Sequence, residues 1–296
     1  AALEQCASLG IPCATMLSGG FADIGDAGRK RQERLVAIAR DGGVRLVGPN
    51  SIGVINTHNG LALSVNAVLD IPKLAKGRVG VLSHSGSLIG ALASRGQARG
   101  LAFSKLVSVG NEADLSLGEM GKLLVDDPDT DAILLFLETI REAERVRAMA
   151  RRAAAAGKPV IAYKLGRSEV GRELAKSHTG ALAGVDEVMN AFLRHNGIAR
   201  LSLFDALVET PPMMIGRAPS RPGGKVAVLT TSGGGGAMVV DCLGALGVPV
   251  VATPPSVRNL FACHNIPTGG GRLMDLTLAG TDPVIIGSVM ERLMET

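Results

Sequence analysis

Short runs rich in apolar and β-branched residues alternate along the chain with stretches whose apolar residues recur every three or four positions. The short runs predict strands, and the periodic stretches predict amphipathic helices. Strands that alternate with helices are typical of an α/β fold with a mainly parallel sheet. The predicted strands lie at 12–17, 44–50, 78–83, 105–110, 131–138 and 159–166. Among the predicted helices are those at 26–43, 115–127, 141–158 and 185–197.

Two stretches predict linkers. Residues 71–77 precede a fresh strand, and residues 211–224 carry four prolines and three glycines. After the second linker, the pattern of residues 78–87 recurs at 225–234, which indicates two domains of one type. We therefore expect three parts: the second half of an α/β domain, a complete domain, and an incomplete copy of the complete one. These parts cover 1–74, 75–212 and 222–296.

The composition argues against several classes of function. The chain has 296 residues, a net charge of +4, 2% aromatic residues and no tryptophan. Because base stacking needs aromatic rings, nucleic-acid binding is not expected. No run of eighteen or more apolar residues is uninterrupted, so neither a transmembrane span nor a membrane partner is expected.

The cysteines and the first residues bear on compartment and completeness. Cys6, Cys13, Cys242 and Cys263 form no CxxC pair, so we predict no metal site and expect reduced thiols in a cytoplasmic protein. The chain opens in the middle of a helical pattern, without the features of a signal peptide. A missing upstream part is therefore expected.

Polar residues follow the predicted strands where each one ends, and the carboxyl ends of parallel strands share one edge of a sheet. Ser83, Ser85 and Gly86 form a turn that opens a helix. Backbone N–H groups at a helix start favour phosphate, although serine is also an ordinary N-cap residue. Glu138 ends another strand, and fits either a carboxylate that orients an imidazole or a solvated strand end.

A second turn, TTSGGGG at 230–236, offers more bare backbone than the first. Its residues Ser232, Gly233 and Gly234 predict either a phosphate contact or a flexible tight turn. The turn lacks the Lys-Ser/Thr pair of a P-loop, so an independent nucleotide site is not predicted.

Histidine chemistry is suggested by the stretch AKSHTGALAG at 175–184. His178 lies between two hydroxyl residues and before small residues and glycine, which fits either a surface turn or a nucleophile on a moving loop. His84 fits a donor to phosphate, but it is expected on the surface. The G-x-S-x-G elbow of serine hydrolases does not occur, which argues against that class.

The motifs together resemble a known family. GPNSIGV, SHSGS, SVGNEAD, FLE, YKLGRS and SHTGALAG occur in this order between residues 48 and 184. This set is similar to the NDP-forming acyl-CoA synthetases, relatives of succinyl-CoA synthetase. The resemblance implies a Rossmann-like CoA-binding remnant followed by flavodoxin-like, succinyl-CoA synthetase-like domains.

The resemblance also implies chemistry. The family converts a carboxylic acid, CoA and ATP (or GTP) into acyl-CoA, ADP (or GDP) and phosphate, through an acyl phosphate and a phosphohistidine. By this resemblance His178 is phosphorylated, Glu138 holds it, and Ser83 and Ser85 belong to the phosphate turn. The helix starts at 83–87 and 230–236 are both expected to stabilise the charge of the phosphohistidine. Gly19, Asn50 and Ser51 are assigned to CoA. The nucleotide and its Mg²⁺ are assigned to an ATP-grasp domain or subunit, and an oligomer is expected.

The chain also departs from the family pattern. The early glycine-rich CoA-binding segment and the ATP-grasp domain are absent, and Ser51 stands where many members have cysteine. We therefore expect a partial subunit that does not complete the reaction alone. The alternative is a non-catalytic CoA-binding or regulatory module of the same fold. The presence of His178 within its full motif favours the enzyme.

Overall fold

The computed structural model of the chain describes residues 1–71, 73–171, 185–217, 225–267 and 271–295. The chain divides into two compact units, Ala1–Ala218 and Pro219–Thr296. Within the described ranges, no helix combines the length and apolarity that crossing a membrane requires.

The first unit alternates strands and helices as the hydrophobic pattern predicts. Its strands are β1 (Cys13–Thr15), β2 (Arg45–Val47), β3 (Gly53–Asn56), β4 (Leu61–Ser64), β5 (Lys76–Ser83), β6 (Phe103–Ser108), β7 (Ala132–Leu137), β8 (Val160–Lys164) and β9 (Ala199–Leu201). Its α-helices are α1 (Ala2–Ser8), α2 (Asp26–Asp41), α3 (Gly86–Ala98), α4 (Leu117–Asp126), α5 (Ala143–Ala155), α6 (Asp186–His195), α7 (Ala206–Glu209) and α8 (Pro211–Met214).

A mixed sheet forms the centre of this unit. Among the described residues it has seven strands in the order β4-β3-β6-β5-β7-β8-β9. The five strands from β6 to β9 are parallel, and their order is the doubly wound order of flavodoxin-like folds. The predicted fold class is therefore confirmed.

Strand β7 shows why the sheet is buried on both faces. All six of its residues, AILLFL, are buried, as expected for a central parallel strand covered by helices on each side. Leu134 packs in a cluster with Ile89 and Leu92 of α3, whereas Leu135 packs in a cluster with Met120 of α4 and Val146 of α5. Alternate residues of β7 thus belong to separate cores.

The hydrophobic pattern did not predict β3 and β4. They form an antiparallel pair, and β3 also pairs antiparallel with β6. These strands precede residue 75, yet they belong to the large sheet. The earlier part of the unit forms its own small layer, in which β1 pairs parallel with β2 and Leu35, Ala39 and Leu46 are buried together. The predicted domain boundary at 74 stays a prediction.

The second unit contains β10 (Val228–Thr230), α9 (Gly233–Ala245), α10 (Pro255–Cys263), β11 (Leu273–Asp275) and α11 (Pro283–Met294). Strands β10 and β11 pair in parallel, and α10 and α11 contribute buried residues such as Phe261 and Val289. Strand β10 leads through a turn into α9, as β5 leads into α3. This repeats the strand, turn and helix order that the sequence echo indicated.

Helices α4 and α5 contact each other through glycines, which generates a stability prediction. A Cβ at Gly118 would lie 2.6 Å from the backbone carbonyl carbon of Arg145, whereas a Cβ at Gly121 would lie 2.7 Å from the side-chain Cγ of Met149. Backbone cannot yield as a flexible methionine can. We expect Gly118→Ala to destabilise the unit by about 1–3 kcal/mol despite the better helix propensity of alanine. Gly121→Ala is the matched control and should cost less.

Urea unfolding followed by tyrosine fluorescence measures both variants. The chain has no tryptophan and a single tyrosine, Tyr163, which lies in β8 and therefore reports on the first unit. An equal or smaller loss of stability for Gly118→Ala than for Gly121→Ala would contradict the proposed backbone clash.

Candidate functional site

The strand register brings several polar residues to one edge of the large sheet. Ser83, the last residue of β5, pairs with Ser108 of β6 on one side and with Phe136 of β7 on the other. Leu137 pairs with Lys164, the last residue of β8. The residues after these strands therefore emerge side by side, with Glu138 directly after β7.

The turn after β5 is built by internal hydrogen bonds. The Ser83 hydroxyl is buried and donates to the Ser85 carbonyl at 2.6 Å. Ser85 is the N-cap of α3, but its side chain makes no capping hydrogen bond in the structure described. Gly86 lies against Ile52, where a Cβ would come within 2.2 Å of that side chain. The ordinary N-cap bond is thus unused here. Phosphate binding by Ser83, Ser85 and Gly86 stays a prediction.

Glu138 lies beside this turn. It is 4% exposed, and its backbone N–H donates to Nδ1 of His84 at 3.3 Å. Ser85 follows β5 and Glu138 follows β7, and these two strands are parallel neighbours. Glu138 and Ser85 therefore lie at the same edge of the sheet. The role of Glu138 toward a histidine stays a prediction.

Lys164 adds a buried cation near this edge. Its side chain is 2% exposed, and Nζ donates to the Leu165 carbonyl. Burial lowers the pKa of Lys164, and the positive charge of Arg200 acts in the same direction, whereas the carboxylates of Asp186 and Glu138 oppose the shift. The Glu138 carboxylate therefore interacts electrostatically with Lys164.

His84 is not on the surface, so that expectation was wrong. Its side chain is 3% exposed, and Nε2 lies 2.7 Å from Oε1 of Glu112, whose side chain is equally buried. Glu112 lies in the loop after β6, the strand next to β5. The sequence signal was available: both residues follow strands that are neighbours in a doubly wound sheet.

The surroundings of Glu112 stabilise its ionised form. Burial acts to raise the pKa of this carboxyl, but hydrogen bonding and charge interaction with His84, the N–H of Leu117 and the charge of Arg141 outweigh it. The pKa of Glu112 therefore lies below its ordinary value. The N–H of Leu117 donates to Oε2 at 2.6 Å, at the start of α4. Glu112 also has a positive φ of 52°.

The residues assigned to CoA lie close together. A Cβ at Gly19 would come within 3.3 Å of Oδ1 of Asn50, and the Asn50 N–H donates to the Ser18 carbonyl at 2.8 Å. The hydroxyl of Ser51 donates to the Ser108 carbonyl at 2.7 Å and accepts from the N–H of Gly53 at 2.8 Å. The Ser51 contacts are internal ones, and CoA binding by these three residues stays a prediction.

A polar network joins this region to the loop after β6. The amide Nδ2 of Asn111 donates to Asp23 at 3.0 Å and to Gln32 at 3.1 Å. Asn50 Nδ2 in turn donates to Oδ1 of Asn111, 3.4 Å away. Sequence reasoning named neither Asp23 nor Gln32, because neither lies in a motif that resembles a binding site.

In the second unit, Ser232 caps α9. Its hydroxyl accepts from the Gly235 N–H at 3.3 Å, so this turn has the ordinary capping bond that Ser85 lacks. A Cβ at Gly233 would lie 2.8 Å from Oδ2 of Asp275, so a carboxylate borders the turn. Phosphate binding by Ser232, Gly233 and Gly234 stays a prediction. His178 lies outside the described residues.

Comparison with known proteins identifies the family. The family described as "Succinyl-CoA ligase like flavodoxin domain" matches residues 76–214. The chain is 36% identical over 249 residues to acetate–CoA ligase (ADP-forming) I of Archaeoglobus fulgidus, covering 84% of this chain and 35% of that protein. It is 32% identical over 267 residues to the alpha subunit of acetate–CoA ligase (ADP-forming) I of Pyrococcus furiosus, covering 90% of this chain and 56% of that one.

A solved structure agrees with these relatives. Acetyl-coenzyme A synthetase 1 of Ca. Korarchaeum cryptofilum, solved with phosphate and ADP, matches with a TM-score of 0.81 and 27% identity over 93% of this chain and 58% of that chain. Residues 76–214 belong to the succinyl-CoA ligase-like flavodoxin domain family, and the chain as a whole is similar to ADP-forming acyl-CoA ligases. It spans about a third to a little over half of the length of these synthetases.

The buried Glu112 carboxylate generates a prediction of how stability depends on pH. A depressed folded-state pKa means that the ionised carboxylate stabilises the fold above its ordinary pKa of 4.5, and that this contribution is lost as the pH falls through the folded value. We expect Glu112→Gln to cost about 1–3 kcal/mol at pH 7, because glutamine is uncharged and keeps only one acceptor oxygen for the two buried groups, His84 Nε2 and the Leu117 N–H. The cost should shrink toward pH 4.

Urea unfolding of the parent and of Glu112→Gln at pH 7 and at pH 4, followed by Tyr163 fluorescence, measures the difference in their free energies of unfolding. Glu33→Gln is the control, since Glu33 lies exposed on α2 of the same unit. A cost that is the same at pH 7 and pH 4 would contradict the stabilising role of the ionised carboxylate.

Proposed function

We propose that this chain is the part of an NDP-forming acyl-CoA synthetase that handles the acyl phosphate and carries the phosphoryl group. The whole reaction converts a carboxylic acid, CoA and ATP or GTP into acyl-CoA, ADP or GDP and phosphate, reversibly. The observation that carries the proposal is the pair formed by the Ser83–Gly86 turn and Glu138. They adjoin at the carboxyl edge of a succinyl-CoA ligase-like domain.

The proposed reaction has three steps. In the direction of nucleotide synthesis, phosphate attacks the thioester carbonyl and CoA leaves as the thiol, which yields an acyl phosphate. An imidazole nitrogen of His178 then attacks phosphorus, and the carboxylate of the acid leaves. The phosphoryl group finally passes from His178 to a terminal oxygen of ADP or GDP. The nitrogen of His178 is thereby restored.

Local electrostatics support the middle step. The start of α3 has backbone N–H groups that the Ser85 side chain does not cap, and such groups stabilise the charge of a phosphoryl group. An imidazole gains positive charge as it is phosphorylated. A carboxylate such as Glu138 stabilises that charge, because the carboxylate accepts a hydrogen bond from the ring N–H. We assign Glu138 this role toward His178, and Ser83, Ser85 and Gly86 the phosphate contact.

The remaining assignments extend the same proposal. Gly19, Asn50 and Ser51 contact CoA, and Ser232, Gly233 and Gly234 provide a second phosphate contact. The nucleotide and Mg²⁺ belong to an ATP-grasp domain or partner subunit, as expected for a chain that resembles an alpha subunit. The free cysteines fit a cytoplasmic protein. Gly19 and Asn50 lie close enough to act together, since a Cβ built at Gly19 would come within 3.3 Å of Oδ1 of Asn50.

A direct labelling experiment tests this function. Acetyl phosphate labelled on phosphorus should transfer its phosphoryl group to His178 without any nucleotide-binding partner, since the acyl phosphate is the immediate donor. We expect an acid-labile, base-stable label that His178→Ala abolishes. His195→Ala, at an exposed histidine of α6, is the matched control and should retain the label.

The alpha subunit of the Pyrococcus furiosus ligase serves as the positive control for the labelling conditions. Equal labelling of the parent and of His178→Ala would reject His178 as the acceptor. If the control subunit is labelled and this chain is not, the alternative function as a non-catalytic CoA-binding or regulatory module is supported instead.

A second variant tests Glu138. We expect Glu138→Gln to slow labelling of His178 by about 10–100-fold, as is typical for a residue that orients a functional imidazole. Its urea midpoint, followed by Tyr163 fluorescence, should stay near that of the parent. An unfolded variant would instead assign Glu138 a structural role.

A further inference from the structure

Both ring nitrogens of His84 are engaged inside the protein. Nε2 lies 2.7 Å from Oε1 of Glu112, and Nδ1 lies 3.3 Å from the backbone nitrogen of Glu138, whose N–H points at it. In this structure both nitrogens of the ring therefore contact protein groups.

The orientation of the ring follows from its partners. A carboxylate can only accept, so Nε2 carries a proton that it donates to Glu112. The N–H of Glu138 can only donate, so a hydrogen bond between it and Nδ1 requires a ring without a proton on Nδ1. The carbonyl of Phe136 also lies 3.3 Å from Nδ1, and a ring protonated there would turn to this carbonyl and release the Glu138 N–H.

Glu112 is itself fixed from several sides. Its second oxygen accepts from the N–H of Leu117 at 2.6 Å, and Nε of Arg141 lies 3.8 Å from the first. Helix α4 starts at Leu117, and a capping box between Ser116 and Glu119 caps its N-terminus. The backbone N–H of Leu117 is therefore held in place. The pair His84–Glu112 thus connects the ends of β5 and β6 with the residue that follows β7.

This arrangement is costly, which argues for a specific role. Both side chains of the pair are 3% exposed, and burying an ionised carboxylate such as Glu112 costs solvation that an apolar side chain of similar size would not lose. Glu112 also adopts a φ of 52°, a region that non-glycine residues rarely occupy. Strained backbone and buried polar side chains of this kind are concentrated at sites where a neighbouring group must be held in one position.

We propose that His84 is a positioning residue for Glu138: it holds the backbone N–H that precedes the Glu138 side chain, while Glu112 fixes the tautomer of the ring. The proposal deepens the function proposed above and rests on it, since Glu138 is taken to orient His178. It adds an indirect control of phosphoryl transfer by His84 and Glu112.

NMR spectroscopy can show which ring nitrogen of His84 carries the proton, and this measurement does not depend on an activity assay. In the parent chain labelled with ¹⁵N-histidine, His84 should show a proton on Nε2 and an unprotonated Nδ1 at neutral pH. His84→Asn identifies the signal among the five histidines of the chain. A proton on Nδ1 would overturn the proposal, because the Glu138 N–H would then have no acceptor on the ring.

Two replacements of His84 separate positioning from packing. Asparagine keeps an acceptor oxygen near the place of Nδ1, whereas glutamine reaches toward Glu112 and leaves the Glu138 N–H without its acceptor. We expect His84→Gln to shift the amide resonance of Glu138 and to slow labelling of His178 by acetyl phosphate about tenfold. His84→Asn should leave both close to the parent. Equal losses in the two variants would overturn the proposal.

A double-mutant cycle identifies the route of the effect. If His84 acts through Glu138, His84→Gln should cause no further slowing in a Glu138→Gln background. Slowing that multiplies in the double variant would mean that His84 acts elsewhere, and would reject the proposal. If the parent takes up no label at all, the proposed function fails, and the tautomer and the Glu138 amide shift still decide the positioning claim.

Discussion

The parallel pairing of β5 with β6 and β7 is the constraint on which the rest of the site depends. This register sets Ser83 level with Ser108 and Phe136, so that the following residues of three strands meet at one edge. A shift by one residue would exchange the two faces of β5. Val81 and Leu82 belong to separate cores, so such a shift would place each side chain in the wrong layer. The core packing therefore fixes the site.

The polar part of the site depends on that packing in turn. Interior hydrogen bonds between His84, Glu112 and Glu138 form only because three strand ends are held within a few ångströms of one another. Ser51, from a segment well before β5 in the chain, adds a bond to the end of β6. Ser108, the last residue of β6, has a buried side-chain hydroxyl with no hydrogen-bond partner among the described residues. Satisfaction of polar groups at this edge is thus extensive but incomplete.

The sequence predicted those features that local patterns encode. The apolar run of β7 and the turn before α3 are local, and so are the ion pairs Glu142–Arg145 and Glu144–Arg147 of α5, which the structure confirms. Burial of His84 was missed because its partner lies 28 positions away and the two meet only through strand order. Strands β3 and β4 were missed because each is only four residues long and is defined by its pairing. Long-range pairing has no local signature.

The hairpin of β3 and β4 has a consequence for modularity. The part of the chain that matches the family domain begins at residue 76, after this hairpin. Yet β3 supplies the hydrogen-bonding partner for the outer side of β6. A domain cut out at that match would leave β6 with a bare row of backbone donors and acceptors, which invites sheet-to-sheet aggregation. The matched domain is therefore smaller than the sheet to which it contributes, and excising it without exposing the edge of β6 requires the chain from at least residue 53 onward.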